Sequence, residues 1–249
     1  MTRRALWLLP ALLIVAGCHR PVETRVEHAI TDLLPRYLGQ AKSYTARVEG
    51  RPDALYRGHL RAVHIVGEKV ALLPDLTVEQ LNVDIKDVSV NRGTNALDSV
   101  GETRFTARIT EDALKRYIPR RRLHIKDLQV ALGADGRVTV TATPALLGFS
   151  TVPVSLRGTV TPTENGASVL FTPDRASLNT GIGTVGTGLP SIVADHIASR
   201  LNPVADFSTA PLPIRAESVQ IERGAVTIAG TIPPGALQQA VADAQTRSR

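Results

Sequence analysis

Residues 18–232 predict an α+β fold, a long curved antiparallel β-sheet wrapped around a few helices. Three observations carry that prediction. Aliphatic residues alternate in run after run, as in strands with one buried face. Asp135-Gly136, Asn165-Gly166 and Arg223-Gly224 stand between such runs, where tight hairpins need residues that tolerate positive φ. Finally, "LNVDIKDVSV" (81–90) and "LHIKDLQV" (123–130) share I-K-D-[VL]-x-V, and in both the apolar parity changes across Lys-Asp. Leu81, Val83 and Ile85 give way to Val88 and Val90, and Leu123 and Ile125 give way to Leu128, Val130 and Leu132. A one-residue change of parity is what a β-bulge produces, and bulges bend and twist a strand, so this sheet is expected to curve.

The elements follow in order. Val22, Val26, Ala29, Ile30, Leu33 and Leu34 form the stripe of an amphipathic helix, which Pro35 ends or kinks. Strands are expected over Tyr44–Glu49, Leu60–Val66, Val78–Val90 and Arg104–Ile109. Glu111–Ile118 reads as a short helix: Thr110 can cap it, two acids occupy its first turn and Pro119 stops it. Strands resume over Leu123–Leu132, Val138–Thr143, Val152–Val160 and Ala167–Phe171. After a Gly-rich loop, Leu189, Ile192, Val193, Ile197 and Leu201 return to helical spacing, closed by Asn202-Pro203. Glu217–Glu222 and Ala225–Ala229 are the last strands, and residues 233–249 form a loosely held tail of helical composition.

The amino terminus carries an address. Arg3 and Arg4 precede a 12-residue apolar stretch, Ala5–Ala16, that is too short for a bilayer anchor of about 20 residues but suits a secretory signal. Val15-Ala16-Gly17-Cys18 resembles the bacterial lipobox, in which small residues admit a signal peptidase and the cysteine sulfur takes the diacylglyceryl group. Residues 1–17 are therefore read as a lipoprotein signal peptide and Cys18 as the lipidated first residue of the mature chain, carrying palmitate-type acyl chains. Without residues 1–17 the chain has 232 residues, and losing Arg3 and Arg4 takes the formal charge from +6 to +4. Two or three acyl chains at about 0.8 kcal/mol per buried CH₂ hold a protein on a membrane where one is marginal. The expected location is the bacterial cell envelope, outside the cytoplasm, on either leaflet. Cys18 is the only cysteine, so no disulfide stabilises the fold. With 43% hydrophobic residues but only nine aromatics, the interior must be mostly aliphatic.

Little in the sequence speaks for catalysis. "GIGTVG" (181–186) matches the dinucleotide-binding G-x-G-x-x-G, with Asp206 20 residues past Gly186. The strand before it, however, is expected to end near Phe171, about ten residues early, among hairpins where a βαβ unit is required; a flexible or gating loop is the better reading. The histidines (His19, His28, His59, His64, His124, His196) show no ligand spacing beside a carboxylate, so no metal or other cofactor is expected. No G-x-S-x-G elbow occurs, and the protein is read as no enzyme. Lys115, Arg116, Arg120, Arg121 and Arg122 surround Tyr117. They either complement the C-terminal dipole of a solvated helix or meet anionic phospholipid headgroups. Outside the cell they have no nucleic acid to meet.

Three stretches carry a family resemblance: "LPRYLGQAKSYTARVEGRPDALYRGHLRAVHIVG" (34–67), "FTARITEDALKRYI" (105–118) and "LNPVADFSTAPLPIRAESVQIERGAVTIAG" (201–230). In this order they resemble the LmeA-like phospholipid-binding family of bacterial envelope proteins, over nearly the whole mature chain. The lipobox departs from members with an ordinary leader. The resemblance implies a fold akin to the tubular lipid-binding proteins, with the sheet enclosing an apolar groove, and a phospholipid or other acyl lipid as partner, in lipid transfer or envelope maintenance. If the two bulged strands curl the sheet, the groove is lined by Val130, Leu132, Val138, Val140, Leu146, Leu147, Phe149, Val152 and Val154. The same residues would fill a closed core in the alternative reading, an adaptor lipoprotein that recruits an envelope partner.

Overall fold

The protein is described by a computed structural model that covers residues 21–91, 93, 96–121, 125–144, 153–179, 184–185, 191–210 and 212–239. Helix α1 (Pro21–Leu38) places Val26, Ile30, Leu34 and Leu38 one turn apart on the side that meets the core. It runs through Pro35 and ends at Leu38. Burial of Leu34 and Leu38 on either side holds the last turn together against the hydrogen bond that proline removes.

Strand β1 (Ser43–Glu49), the short helix α2 (Pro52–Tyr56), β2 (His59–Leu73), β3 (Leu76–Asn91), β4 (Ala96–Ser99) and β5 (Thr103–Thr110) follow. Then come α3 (Glu111–Arg121), β6 (Ile125–Leu132), β7 (Val138–Pro144), β8 (Val154–Pro162), β9 (Ser168–Asn179) and β10 (Thr184–Val185). Helix α4 (Ser191–Leu201), β11 (Ala205–Asp206), β12 (Arg215–Glu222) and β13 (Ala225–Thr231) complete the order, and residues 234–239 are again helical. The α+β class and the curved antiparallel sheet are as the sequence predicts, with the strands divided between two sheets. A seven-stranded sheet runs β1-β2-β3-β5-β13-β12, with β4 on β3; a six-stranded one runs β10-β9-β8-β7-β6, with β11 on β9, and curls into a half-barrel.

Both I-K-D strands are irregular where the parity changes. Asp87 and Asp127 hold matching left-handed conformations, φ 50° and 52°, which aspartate tolerates better than most residues. The β6–β7 ladder slips between Lys126 and Gln129. β3 leaves β5 after the Ile85–Thr103 pair and shifts register against β4 between Ser89 and Val90. The hairpin turns fall at Asp135-Gly136, Asn165-Gly166 and Arg223-Gly224, each with its glycine at positive φ.

Strand β9 corrects the expectation that it stops near Phe171. It continues to Asn179, because a bulge opposite Arg157 and Gly158 absorbs Pro173, which cannot donate to a ladder. Gly158 makes that bulge possible: a Cβ there would lie 2.1 Å from the Thr172 carbonyl oxygen. The end of β9 therefore reaches the "GIGTVG" loop, but Thr184 and Val185 pair back onto Asn179 and Leu178. β10 is thus antiparallel to β9, where a dinucleotide site needs a strand feeding directly into a helix. The gating role suggested for it falls on residues outside those described.

The two sheets are stitched at β12, where the Ala216 amide donates to the Gly166 carbonyl at 2.8 Å. Their inner faces share one hydrophobic core. The outer face of the seven-stranded sheet carries exposed ion pairs, among them Arg61–Glu49 and Lys86–Glu102–Arg104, and a hydrogen bond between His64 and Asp84. Exposed pairs of this kind contribute about 0–1 kcal/mol each; their effect is to keep that face wet and the other one dry.

Candidate functional site

The site is an apolar gap between the inner face of the six-stranded sheet, helix α3 and strands β5, β12 and β13. Its far wall is the β6–β7 hairpin, where Val130 faces Val140 and Leu132 faces Val138 as cross-strand pairs. All four residues line the gap and are buried. Val160, Val169 and Phe171 extend that wall across β8 and β9, and Leu201, Val204 and Ala205 close its end below α4. Opposite, Ile109 on β5 stands beside its partner Val226 on β13.

Helix α3 covers the gap. Its apolar side consists of Ala113, Leu114, Tyr117 and Ile118, and the Tyr117 ring is 1% exposed. As predicted, Thr110 caps the helix, its Oγ1 accepting from the Ala113 amide at 3.3 Å. The helix is locked to the far wall by Glu111, whose Oε2 accepts from the Leu132 amide at 2.8 Å while Oε1 meets Lys115 Nζ at 2.6 Å. The Lys115 ammonium and then the Leu132 amide hold the Glu111 carboxyl below its ordinary value. A depressed carboxyl stabilises the fold above the unfolded value of 4.5, and that contribution is lost as pH falls through the folded one. Glu111→Gln, which keeps an oxygen for Leu132, should therefore lower the melting temperature near neutrality and flatten its decline as pH falls below 4.5.

The end of α4 is fixed just as directly. Asn202 Oδ1 accepts from the Phe171 amide at 2.7 Å, and its Nδ2 donates to the Phe171 carbonyl at 2.9 Å. One side-chain amide thus pairs with β9 as a neighbouring strand would, next to the Phe171 ring that lines the gap.

The gap has a volume of about 50 Å³. A ligand pocket typically has roughly 300–1,000 Å³. Its walls are almost wholly apolar, so it gives water no partners and stays dry. A second, smaller gap of about 10 Å³ lies further along the inner face of the seven-stranded sheet, where α1 covers Leu81, Val83 and Phe105.

Of the residues singled out in the sequence, Val130, Leu132, Val138 and Val140 are brought together on the wall. Val154 is buried on β8 opposite Ala142, away from the gap. Leu146, Leu147, Phe149, Val152, Cys18 and Arg122 lie outside the described residues. Lys115 is paired with Glu111 and Arg116 is exposed; the side chains of Arg120 and Arg121 also lie outside the described residues. Tyr117, which these cations surround in the sequence, faces the interior. Its helical spacing from Ala113 and Leu114 was the available signal. For Ile109, Val226 and Ile228 alternation indicated burial, but only the β5–β13 pairing places them opposite the hairpin wall. Among the described residues, no group of three or more His, Cys, Asp or Glu side chains could hold a metal ion.

Comparison with known proteins adds one finding. A family model described as LmeA-like phospholipid-binding matches residues 18–231. No curated protein and no solved structure matches the chain.

Proposed function

Because the chain belongs to the LmeA-like phospholipid-binding family, we propose that it is a lipid-anchored protein of the bacterial cell envelope that takes one acyl lipid between its two sheets and serves in lipid transfer or envelope maintenance. The observation that carries this reading is the dry, wholly aliphatic and aromatic gap enclosed by a curled half-barrel and a helix. Such a lining offers an acyl chain about 25 cal/mol per Å² of buried apolar surface and offers a polar substrate nothing. At about 50 Å³ the gap holds no lipid as it stands. Uptake requires α3 and the β6–β7 wall to move apart, and the protein is a binder whose walls close when the ligand leaves. No step in this reading makes or breaks a covalent bond in the lipid.

The same small volume is what a closed core would show, so it also favours the adaptor reading, and ligand occupancy separates the two. The chain from residue 19 onward, purified and extracted with organic solvent, should yield about one phospholipid per protein and take up labelled phospholipid from vesicles. Recovery of no stoichiometric lipid, with no uptake, would leave an adaptor with a filled interior.

Anchoring through Cys18 is supported by the lipobox-like Val15-Ala16-Gly17-Cys18 and by the amphipathic stripe that opens at Val22, four residues after the cysteine. The domain would then sit against the headgroups, where the exposed Arg116 can meet anionic lipid. Cys18→Ser should abolish acylation and release or misprocess the protein. Mass spectrometry of the wild-type amino terminus checks the premise: an unmodified Cys18, or a chain that still starts at Met1, removes it.

A further inference from the structure

The two apolar gaps lie on one continuous surface. On the inner face of the seven-stranded sheet the cross-strand rows run Ile109–Val226, then Leu81–Ala107–Ile228, then Val83–Phe105–Gly230. Ile109, Val226 and Ile228 line the first gap, whereas Leu81, Val83 and Phe105 line the second. The middle row thus belongs to both, and Ala107 stands at its centre, 1% exposed.

Alanine and glycine are both depleted in strands, so one of each at diagonal positions of adjacent rows on a buried face needs a reason. Gly230 has one in the backbone, since a Cβ there would lie 1.9 Å from the Arg215 carbonyl oxygen. Ala107 stands between the branched Leu81 and Ile228. Its smallness lowers the ridge between the two gaps, where the branched residue usual in a strand would divide them. Beyond Phe105 on the same face comes Thr103, 1% exposed, whose Oγ1 is buried without a hydrogen-bond partner. A buried hydroxyl left unmade is unfavourable, and a ligand oxygen would relieve it.

We propose that the two gaps are the ends of one acyl-chain lane crossing the sheet at Ala107, and that the ligand is a long-chain ester lipid whose ester oxygen meets Thr103 while its chain runs past Phe105 and Ala107 to Ile109 and Tyr117. The proposal rests on the lipid-binding reading above and gives it an orientation and a minimum chain length.

Photolabelling of the full chain tests it. Vesicles of phosphatidylethanolamine and phosphatidylglycerol are doped with a phospholipid bearing a diazirine either next to the ester or at the chain terminus, and the adducts are mapped by mass spectrometry. The ester-proximal label should fall on the Leu81–Phe105–Ile232 side and the terminal label on the Ile109–Tyr117–Val226 side. Thr103→Val, which removes a hydroxyl that has no partner, should keep the wild-type melting temperature and reduce the yield of ester-proximal adduct by about three- to tenfold, the worth of one hydrogen bond. Both labels in one gap, the reverse order, or an unchanged yield in Thr103→Val overturns the lane while lipid binding stands. No adduct with either probe overturns the binding reading, and the lane with it.

Discussion

Val140→Phe is expected to leave the lipid-free protein folded and to weaken phospholipid binding by about tenfold or more. Val140 lies at the centre of the far wall, paired with Val130 and facing the gap. The added ring can turn into unoccupied space, so stability should fall by less than the roughly 1–3 kcal/mol that overpacking costs in a filled core. A chain entering between the sheets would then have to displace a covalently held ring, and a loss of about 1.4 kcal/mol already makes a tenfold change in affinity. Thermal unfolding of the ligand-free protein and a titration with fluorescent phospholipid give the two numbers. Strong destabilisation with unchanged affinity would place the lipid elsewhere.

Phe171→Ala should act in the opposite sense. The ring is 2% exposed and lines the same gap from β9, with its backbone fixed by Asn202. Truncating a buried phenylalanine costs about 3–5 kcal/mol, a sizeable part of a total stability of roughly 5–15 kcal/mol. The cavity left behind is apolar and continuous with the lane, so a bound acyl chain can fill part of it. Lipid should therefore restore more of the melting temperature in this variant than in the wild type. Equal shifts in the two proteins would show that Phe171 does not face the ligand.

These two side chains also show how far a sequence can be read. Val140 was identified in advance because alternation across the Asp135-Gly136 hairpin fixes which residues of β6 and β7 share a face, and that is a local matter. Phe171 was seen only as the end of a strand: its role depends on β9 continuing past Pro173 and on Asn202 reaching back to it over 31 residues. Parity change at Lys-Asp indicated irregular, bending strands, and Asp87 and Asp127 adopt the left-handed backbone that makes them so. That the bent strands belong to two sheets, however, depends on long-range pairing, β3 with β5 and β5 in turn with β13, whereas β6 pairs with β7, and no shared local pattern indicates it. Short elements such as α2, β4 and β11 escaped for a related reason, since each is defined by what it docks against. Of the two outcomes expected at Pro35, the ending does not occur there, because tertiary packing of Leu34 and Leu38 carries the helix on to Leu38.

The treatment of the outermost strands has a consequence for life among identical neighbours. A protein held on a surface meets copies of itself at far higher frequency than one free in solution, and an open strand edge invites pairing between copies. In the seven-stranded sheet, the Val48 amide on β1 donates instead to Glu27 Oε1 of α1, at 3.1 Å. At the opposite margin, the Ala216 amide on β12 is taken by the Gly166 turn of the other sheet. Each margin thus has one edge amide directed inward, to a helix on one side and to a hairpin on the other. Were the protein anchored as proposed, these two contacts would disfavour sheet-to-sheet joining between crowded copies at both margins.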